Sequence, residues 1–299
     1  RKGPIEILQL SGGEPTLHPQ FFELCEYVRQ HPSIDYLLIN TNGLRIAHDD
    51  AFLEELRAAV HCGHMQLYLQ HDGTAADAHR ELRGSDLRAL KRRAIERCGE
   101  IGLPVTLAMT VLPSNLDALW DTIDFGLGFA HVRGVAFQPM FSSGRCHDET
   151  AQRLNTADII LAAVEQSEGR LRFEDFTPLP SGDPNCATVG YLLKVAGMTR
   201  SMSDFIDFSK LQGFLHDKVR YRLEDLEQCG CDSEALGTLL RQFELDESHT
   251  FRLFVKPFMD AHAWDEDRID RCCTHVIRPD GELDSFCRYY SGFPDTLDC

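Results

Sequence analysis

Short β-rich runs alternate with amphipathic helical patterns through the first half of the chain. That rhythm constrains the fold more than any other feature. The runs are Ile5–Leu10, Tyr36–Asn40, Met65–Gln70, Val105–Val111 and Val135–Pro139, with starts between 29 and 40 residues apart, close to the ~30 residues of a βα unit. The clearest helix places Leu87, Leu90, Ala94, Ile95, Cys98 and Ile101 on one stripe before Gly102, the spacing of a buried helical face. Further helices are expected over Phe21–Gln30, Asp50–Val60, Leu116–Gly126 and Asn155–Glu168. Strands alternating with helices form parallel sheets, whose ligands sit at the carboxyl ends of the strands. Those ends are polar here: Ser11–Thr16, Asn40–Gly43, Gln70–Gly73, Pro113–Asn115 and Gln138–Gly144.

After about residue 168 the rhythm fails. Phe176–Asn185 is rich in Pro and Gly, helices are expected around Val189–Val195 and Asp204–His216, and Arg252–Phe258 reads as one more strand. The last stretch combines cysteines with the turn Pro279-Asp280-Gly281. The expected organisation is a barrel-like unit over 1–168 and a smaller α+β extension over 169–299.

The 299 residues carry 30 Lys and Arg against 47 Asp and Glu, a formal net charge of −17. That excess repels phosphate backbones, so no nucleic-acid partner is expected. No transmembrane segment is expected either, since no run approaches the ~20 apolar residues a bilayer requires. Eleven cysteines cannot all pair in disulfides,. Cys25 and Cys98 fall on apolar helix faces and are expected in the core.

Leu10-Ser11-Gly12-Gly13-Glu14-Pro15-Thr16 follows the first strand directly. Two glycines let the backbone approach a ligand closely, and Glu14 adds a carboxylate suited to an ammonium. As a Gly-Gly-Glu-Pro loop ending a strand, the segment resembles the radical S-adenosylmethionine (SAM) superfamily, in which this motif holds the amino group of SAM. Thr41-Asn42-Gly43, Gln70-His71-Asp72-Gly73 and Arg83-Gly84 look like the branch that includes molybdenum-cofactor cyclases and peptide maturases. The resemblance implies a partial (β/α) TIM-like barrel lacking its first strand. It also implies SAM contacts from Gly12, Gly13, Glu14, Pro15, Thr16, Asn40, Asn42, Gln70, Asp72, Arg83, Asn115 and Gln138.

A narrower likeness rests on Tyr68-Leu69-Gln70, Arg83–Leu87, Phe137-Gln138-Pro139, Gly144-Arg145 and the ending Cys272-Cys273-Thr274-His275 with Phe286-Cys287. It is to an archaeal-type group that includes tetraether-lipid synthase and methanopterin-related methylases. His71 stands where that group leads one to expect an aromatic residue, so no substrate carries over. The resemblance implies reductive cleavage of SAM to a 5′-deoxyadenosyl radical that abstracts hydrogen from an unactivated carbon, in methylation or lipid carbon–carbon coupling. The substrate is a small molecule, lipid or peptide, and ferredoxin or flavodoxin is the expected electron donor. Location is expected to be cytoplasmic, at the membrane periphery if the substrate is a lipid. The alternative is a catalytically degenerate, metal-binding or scaffolding protein of the same fold.

The family's [4Fe–4S] cluster is held by Cys-x₃-Cys-x₂-Cys, a spacing absent from these residues. Since the chain opens at the second expected strand, it is expected to be a fragment whose cluster loop lies upstream. Cys186, Cys272, Cys273 and Cys287 are the candidate ligands of an auxiliary [4Fe–4S] cluster, with structural zinc or free thiols as the other readings.

Overall fold

A computed structural model describes residues 5–60, 64–142, 153–179, 182–195, 198–205, 247–260 and 262–291. The strands are β1 (Ile5–Leu10), β2 (Ile34–Thr41), β3 (Met65–Gln70), β4 (Val105–Val111), β5 (Val132–Pro139), β6 (Phe176–Pro178), β7 (Thr188–Val195), β8 (Met198–Ser201), β9 (Thr250–Val255), β10 (His275–Ile277) and β11 (Leu283–Ser285). The helices are α1 (Phe21–Gln30), α2 (Leu44–His48), α3 (Asp50–Val60), α4 (Ala76–Arg83), α5 (Arg88–Glu100), α6 (Leu119–Leu127), α7 (Thr156–Gln166), α8 (Glu266–Asp270) and α9 (Phe286–Tyr290).

Strands β1 to β5 pair in chain order, all parallel, and β9 adds in parallel beyond β5. Antiparallel β7 and β6 complete that edge, and β8 pairs with β7. This is the α/β partial barrel expected from the sequence. The sheet takes strands from both sides of residue 168, because β6, β7 and β9 extend the surface that β1–β5 begin.

Alternation along each strand separates the two faces. Leu37 and Ile39 of β2, Leu67 and Leu69 of β3, and Leu107 and Met109 of β4 belong to one buried cluster. It also includes Phe21 of α1, Leu56 of α3, Ile95 of α5, Ile123 of α6 and Ile159 of α7, so the long helices cover one face. The intervening positions, among them Tyr68, Thr106 and Gln138, line the opposite, concave face. Cys25 and Cys98 are buried in the cluster, where burial pushes both thiols up to about 12.

Val189–Val195 forms most of β7, not a helix. The run Thr188-Val189-Gly190-Tyr191 favours a strand, through β-branched and aromatic residues around a glycine. A Cβ at Gly190 would lie 2.9 Å from the Asp175 carbonyl and 3.2 Å from the Phe176 ring, so strand packing requires the glycine. The expected helix over Asp204–His216 lies outside the described residues beyond Phe205, apart from a 3₁₀ turn over Met202–Asp204. The last parallel strand sits two residues earlier than expected, at Thr250–Val255.

Candidate active site

The loop after β1 turns at Gly12, whose φ is +93°, a region L side chains avoid. A Cβ at Gly12 or Gly13 would meet nothing within 4 Å, so the loop backbone borders open space. The Glu14 carboxylate faces its own chain. Oε1 accepts from Thr16 N at 3.2 Å, Thr16 Oγ1 at 2.7 Å and Thr41 Oγ1 at 2.6 Å, while Oε2 accepts from Asn42 N at 2.8 Å. Four donors occupy a group with about four acceptor sites. Glu14 therefore ties the end of β1 to the end of β2.

The Thr41-Asn42-Gly43 turn is fixed in turn. Gly43 N donates to Thr41 Oγ1 at 3.1 Å, and Asn42 Oδ1 accepts from Leu44 N at 2.9 Å, opening α2. Gly43 has φ +74°, and a Cβ there would lie 2.5 Å from Leu69 Cδ1. The Asn42 carbonyl accepts from Lys91 Nζ at 2.6 Å. Lys91, on α5, is 1% exposed. Burial lowers its amine to about 8, against the opposing charges of Asp72 and Glu14. The sequence reading missed Lys91, since a lysine on a helix is ordinarily solvated.

At the end of β3, Asp72 adopts φ +61° and Gly73 φ +99°. The fully buried Asp72 carboxylate accepts from Arg83 Nε at 2.6 Å, Arg83 Nη2 at 3.0 Å and Thr110 N at 3.2 Å. Burial pulls its pKa up, but Arg83 and the Thr110 amide outweigh it and hold the carboxyl below its ordinary value. Arg83, on α4, retains Nη1 with no partner among the described residues, and its side chain is 28% exposed. His71 stacks on Phe125 with centroids 4.7 Å apart, and burial lowers its pKa to about 3, leaving it neutral. His79 joins the Gly73 carbonyl through Nε2 at 2.9 Å, while its buried Nδ1 has no partner. The two histidines thus brace the turn that aims Arg83.

The remaining expected residues divide. Thr16 is buried against Glu14, and Pro15 opens a 3₁₀ turn. Asn40 Nδ2 donates to Ser11 Oγ at 3.2 Å, beside the glycine loop. Gln70 and Gln138 lie on the concave face, where Gln138 Nε2 donates to the Tyr68 hydroxyl at 2.9 Å. Asn115 is 1% exposed and bonds Leu112 N at 2.8 Å and the Thr110 carbonyl at 3.0 Å. It caps its own loop.

Cys287 lies within electrostatic reach of Cys186, Cys272 and Lys256, which follows β9. Burial raises the Cys272 and Cys287 thiols despite Lys256. Arg268 Nη2 lies 3.8 Å from Cys186 Sγ, and its buried Nε has no partner. The Ser285 hydroxyl, two residues from Cys287, is orphaned as well. Among the described residues, no three Cys, His, Asp or Glu side chains are arranged to hold a metal ion. Cys272 instead donates to the Thr274 carbonyl at 2.9 Å, and Cys273 is exposed beside Gly182.

The parallel sheet thus carries a Gly-Gly-Glu-Pro loop at one strand end and a carboxylate-clamped arginine two strands away. Residues 1–126 match the family described as the radical SAM superfamily. Its relatives include 7,8-dihydro-6-hydroxymethylpterin dimethyltransferase of Methanocaldococcus jannaschii, 25% identical over 96% of this chain and 67% of that protein. A GTP 3′,8-cyclase of Syntrophomonas wolfei is 29% identical over 54% of this chain and 48% of that one. Mycofactocin maturase of Mycobacterium ulcerans is 31% identical over 59% and 48%. The chain thus spans about two thirds of the first relative and about half of the other two. Among solved structures it resembles the SAM- and peptide-bound anSMEcpe, with TM-score 0.41, 19% identity and coverage of 54% and 45%.

Proposed function

We propose that the ends of β1, β2 and β3 bind SAM, and that the complete protein is a radical SAM enzyme acting on a small molecule. The observation that carries this reading is the pairing of two features on one rim. A glycine loop opens its backbone to empty space, and Arg83 is clamped by buried Asp72 with Nη1 to spare. Such a rim fits a zwitterionic amino acid. Gly12 and Gly13 admit the ammonium end, Arg83 takes the carboxylate, and Gln70 and Asn40 flank the space between. Glu14, Thr16 and Asn42 hold the loops in place, and Asp72 positions Arg83.

Bound SAM and a reduced [4Fe–4S] cluster would supply carbon–sulfur cleavage and hydrogen abstraction from an unactivated carbon. This chain's part is to orient SAM and keep water away. The dimethyltransferase that aligns along nearly the whole chain favours methylation as the outcome. In this reading residues 169–299 form the cysteine-bearing extension, and a small reduced iron–sulfur protein or flavodoxin delivers the electron.

The orphaned Arg268 Nε and Ser285 hydroxyl, with Cys186 and Cys272 in electrostatic reach of Cys287, support an auxiliary cluster at Cys186, Cys272 or Cys273, and Cys287, whose thiols would have to draw together to hold it. Arg268 and Lys256 would offset the thiolate charge there. Anaerobic reconstitution of the complete protein tests both sites. With the three Cys-x₃-Cys-x₂-Cys residues changed to Ala, about four irons per chain should remain, and Cys287→Ala should remove them. An iron-free triple variant discards the auxiliary site. Failure of the otherwise intact protein to cleave SAM under reducing conditions discards the enzyme and leaves a fold-only scaffold.

A further inference from the structure

We propose that the concave wall around Arg252 binds an oxyanion of the substrate, a phosphate or carboxylate group on a small molecule. The proposal rests on the reading above, that the complete protein acts on a small molecule with SAM at the ends of β1, β2 and β3, and it places that molecule against the concave face. It deepens that reading by naming the ligand's chemistry.

Leu253 and Val255 of β9 belong to the buried cluster under the helices, so Arg252, Phe254 and Lys256 face the concave side. Register extends this assignment across the sheet: Arg252 pairs with Gly134 of β5 and Tyr191 of β7. Gly134 pairs with Thr106, and Thr106 with Tyr68. No concave-face position of β2, β3, β4, β5, β7 or β9 is an aspartate or glutamate. In a chain where acids outnumber bases 47 to 30, these strand positions carry cations and, among the described residues, no carboxylates.

Arg252 is half-buried and has no carboxylate partner among the described residues. Its guanidinium lies 5.5 Å from the Phe254 ring centroid and within electrostatic reach of Tyr68. Lys256, four residues on and about 13 Å along the strand, touches the Thr274 hydroxyl at 3.4 Å and also lacks a carboxylate. Partial burial of a guanidinium without a counter-charge is costly, and a bound anion removes that cost.

The neighbouring groups are donors too. The Tyr68 oxygen accepts from Gln138 Nε2 at 2.9 Å, so its O–H remains free to donate. Burial pushes the Tyr68 phenol up, keeping that proton in place. Beside Arg252 the partner position is Gly134, with φ +156°, where a Cβ would collide with the Arg252 carbonyl. On the β5 side the partner position of Arg252 thus carries no side chain. A guanidinium and a phenol O–H recognise an acceptor-rich head group. A hydrocarbon chain would leave all of these donors unmet.

Calorimetry on the complete protein at low ionic strength tests this, with inorganic pyrophosphate and citrate as separate probes. At least one should bind, and Arg252→Gln should weaken it tenfold or more, while Arg252→Lys retains part of the affinity. Pyrophosphate as the tighter probe identifies a phosphate, and citrate a carboxylate. Arg29→Gln, on the far surface of α1, should bind like the parent and controls for net charge. Tyr68→Phe removes one hydroxyl and should weaken the same probe about threefold, serving as the second variant if Arg252→Gln does not fold. SAM affinity should be unchanged in Arg252→Gln, so failure of the SAM reading registers separately. If neither probe binds the parent, or Arg252→Gln and Tyr68→Phe bind as the parent does, the proposal is wrong.

Discussion

Removing Arg83 should cost more stability than removing its partner Asp72, although the two share the same hydrogen bonds. Arg83→Gln leaves a carboxylate that is fully buried, with the Thr110 amide at 3.2 Å as its remaining hydrogen bond and only the more distant charge of Lys91. Removing one partner of a buried ion pair in this way costs about 3–5 kcal/mol. Asp72→Asn leaves a guanidinium that is 28% exposed and can turn to water, a loss of about 1–2 kcal/mol. The double variant should lie closer to Asp72→Asn than to Arg83→Gln, because it contains no stranded charge. The pH dependence adds an independent check. In the parent, Asp72 is held below its ordinary value of 3.8, so the pair stabilises above that value and its contribution is lost as pH falls through the folded value. In Arg83→Gln the clamp is gone and burial raises the carboxyl, so the folded variant takes up a proton more readily than the unfolded chain. Its deficit is therefore largest at pH 7 and shrinks toward pH 5. Urea unfolding followed by tryptophan fluorescence at both pH values measures this. An Asp72→Asn cost equal to or larger than that of Arg83→Gln, or a deficit that does not change with pH, would refute the assignment of the stranded charge.

Glu14→Gln should weaken SAM binding about tenfold by calorimetry and also lower the melting temperature, because the amide cannot accept all four donors that join β1 to β2,. Gly43→Ala should destabilise by about 1–3 kcal/mol in urea, since it combines φ +74° with a 2.5 Å approach to Leu69,. Lys91 titrates near 8 when folded and at an ordinary 10.5 when unfolded, so the unfolded chain binds more protons between those values. Parent stability should therefore rise with pH across that window, and Lys91→Met should flatten the rise in urea titrations.

The framework of the fold was legible because its signals are periodic. Leu67 and Leu69 alternate with Tyr68 and Gln70, and Ala94, Ile95 and Cys98 repeat along one helix face, so both patterns follow from burial on one side. β7 was misread for a physical reason. Leu192 and Leu193 are both buried, one on each face of the sheet, and a run with two apolar faces has no period to distinguish strand from helix. Short α2 and α4 went unnoticed because they are positioned by the Asn42 turn and the Asp72–Arg83 pair rather than by an apolar stripe.

The site was legible where chemistry is confined to one loop, as in Gly12–Thr16, and hidden where it is assembled across elements. Glu14 illustrates the limit. Its residue type suggested an ammonium ligand, yet its partners lie 2 to 28 residues away and all belong to the chain. Lys91 and Arg252 show the converse. Neither sits in a motif, and only the register of neighbouring strands and helices reveals that one reaches a buried carbonyl and the other faces strand positions without carboxylates among the described residues. The two cations also differ in what they imply. Lys91 is balanced by Asp72 and Glu14, so its charge is accounted for within the fold, and it serves to hold the Asn42 turn. Arg252 has no such balance among the described residues, and an unbalanced, half-buried guanidinium beside a free phenol O–H points outward, to a ligand that brings the missing charge.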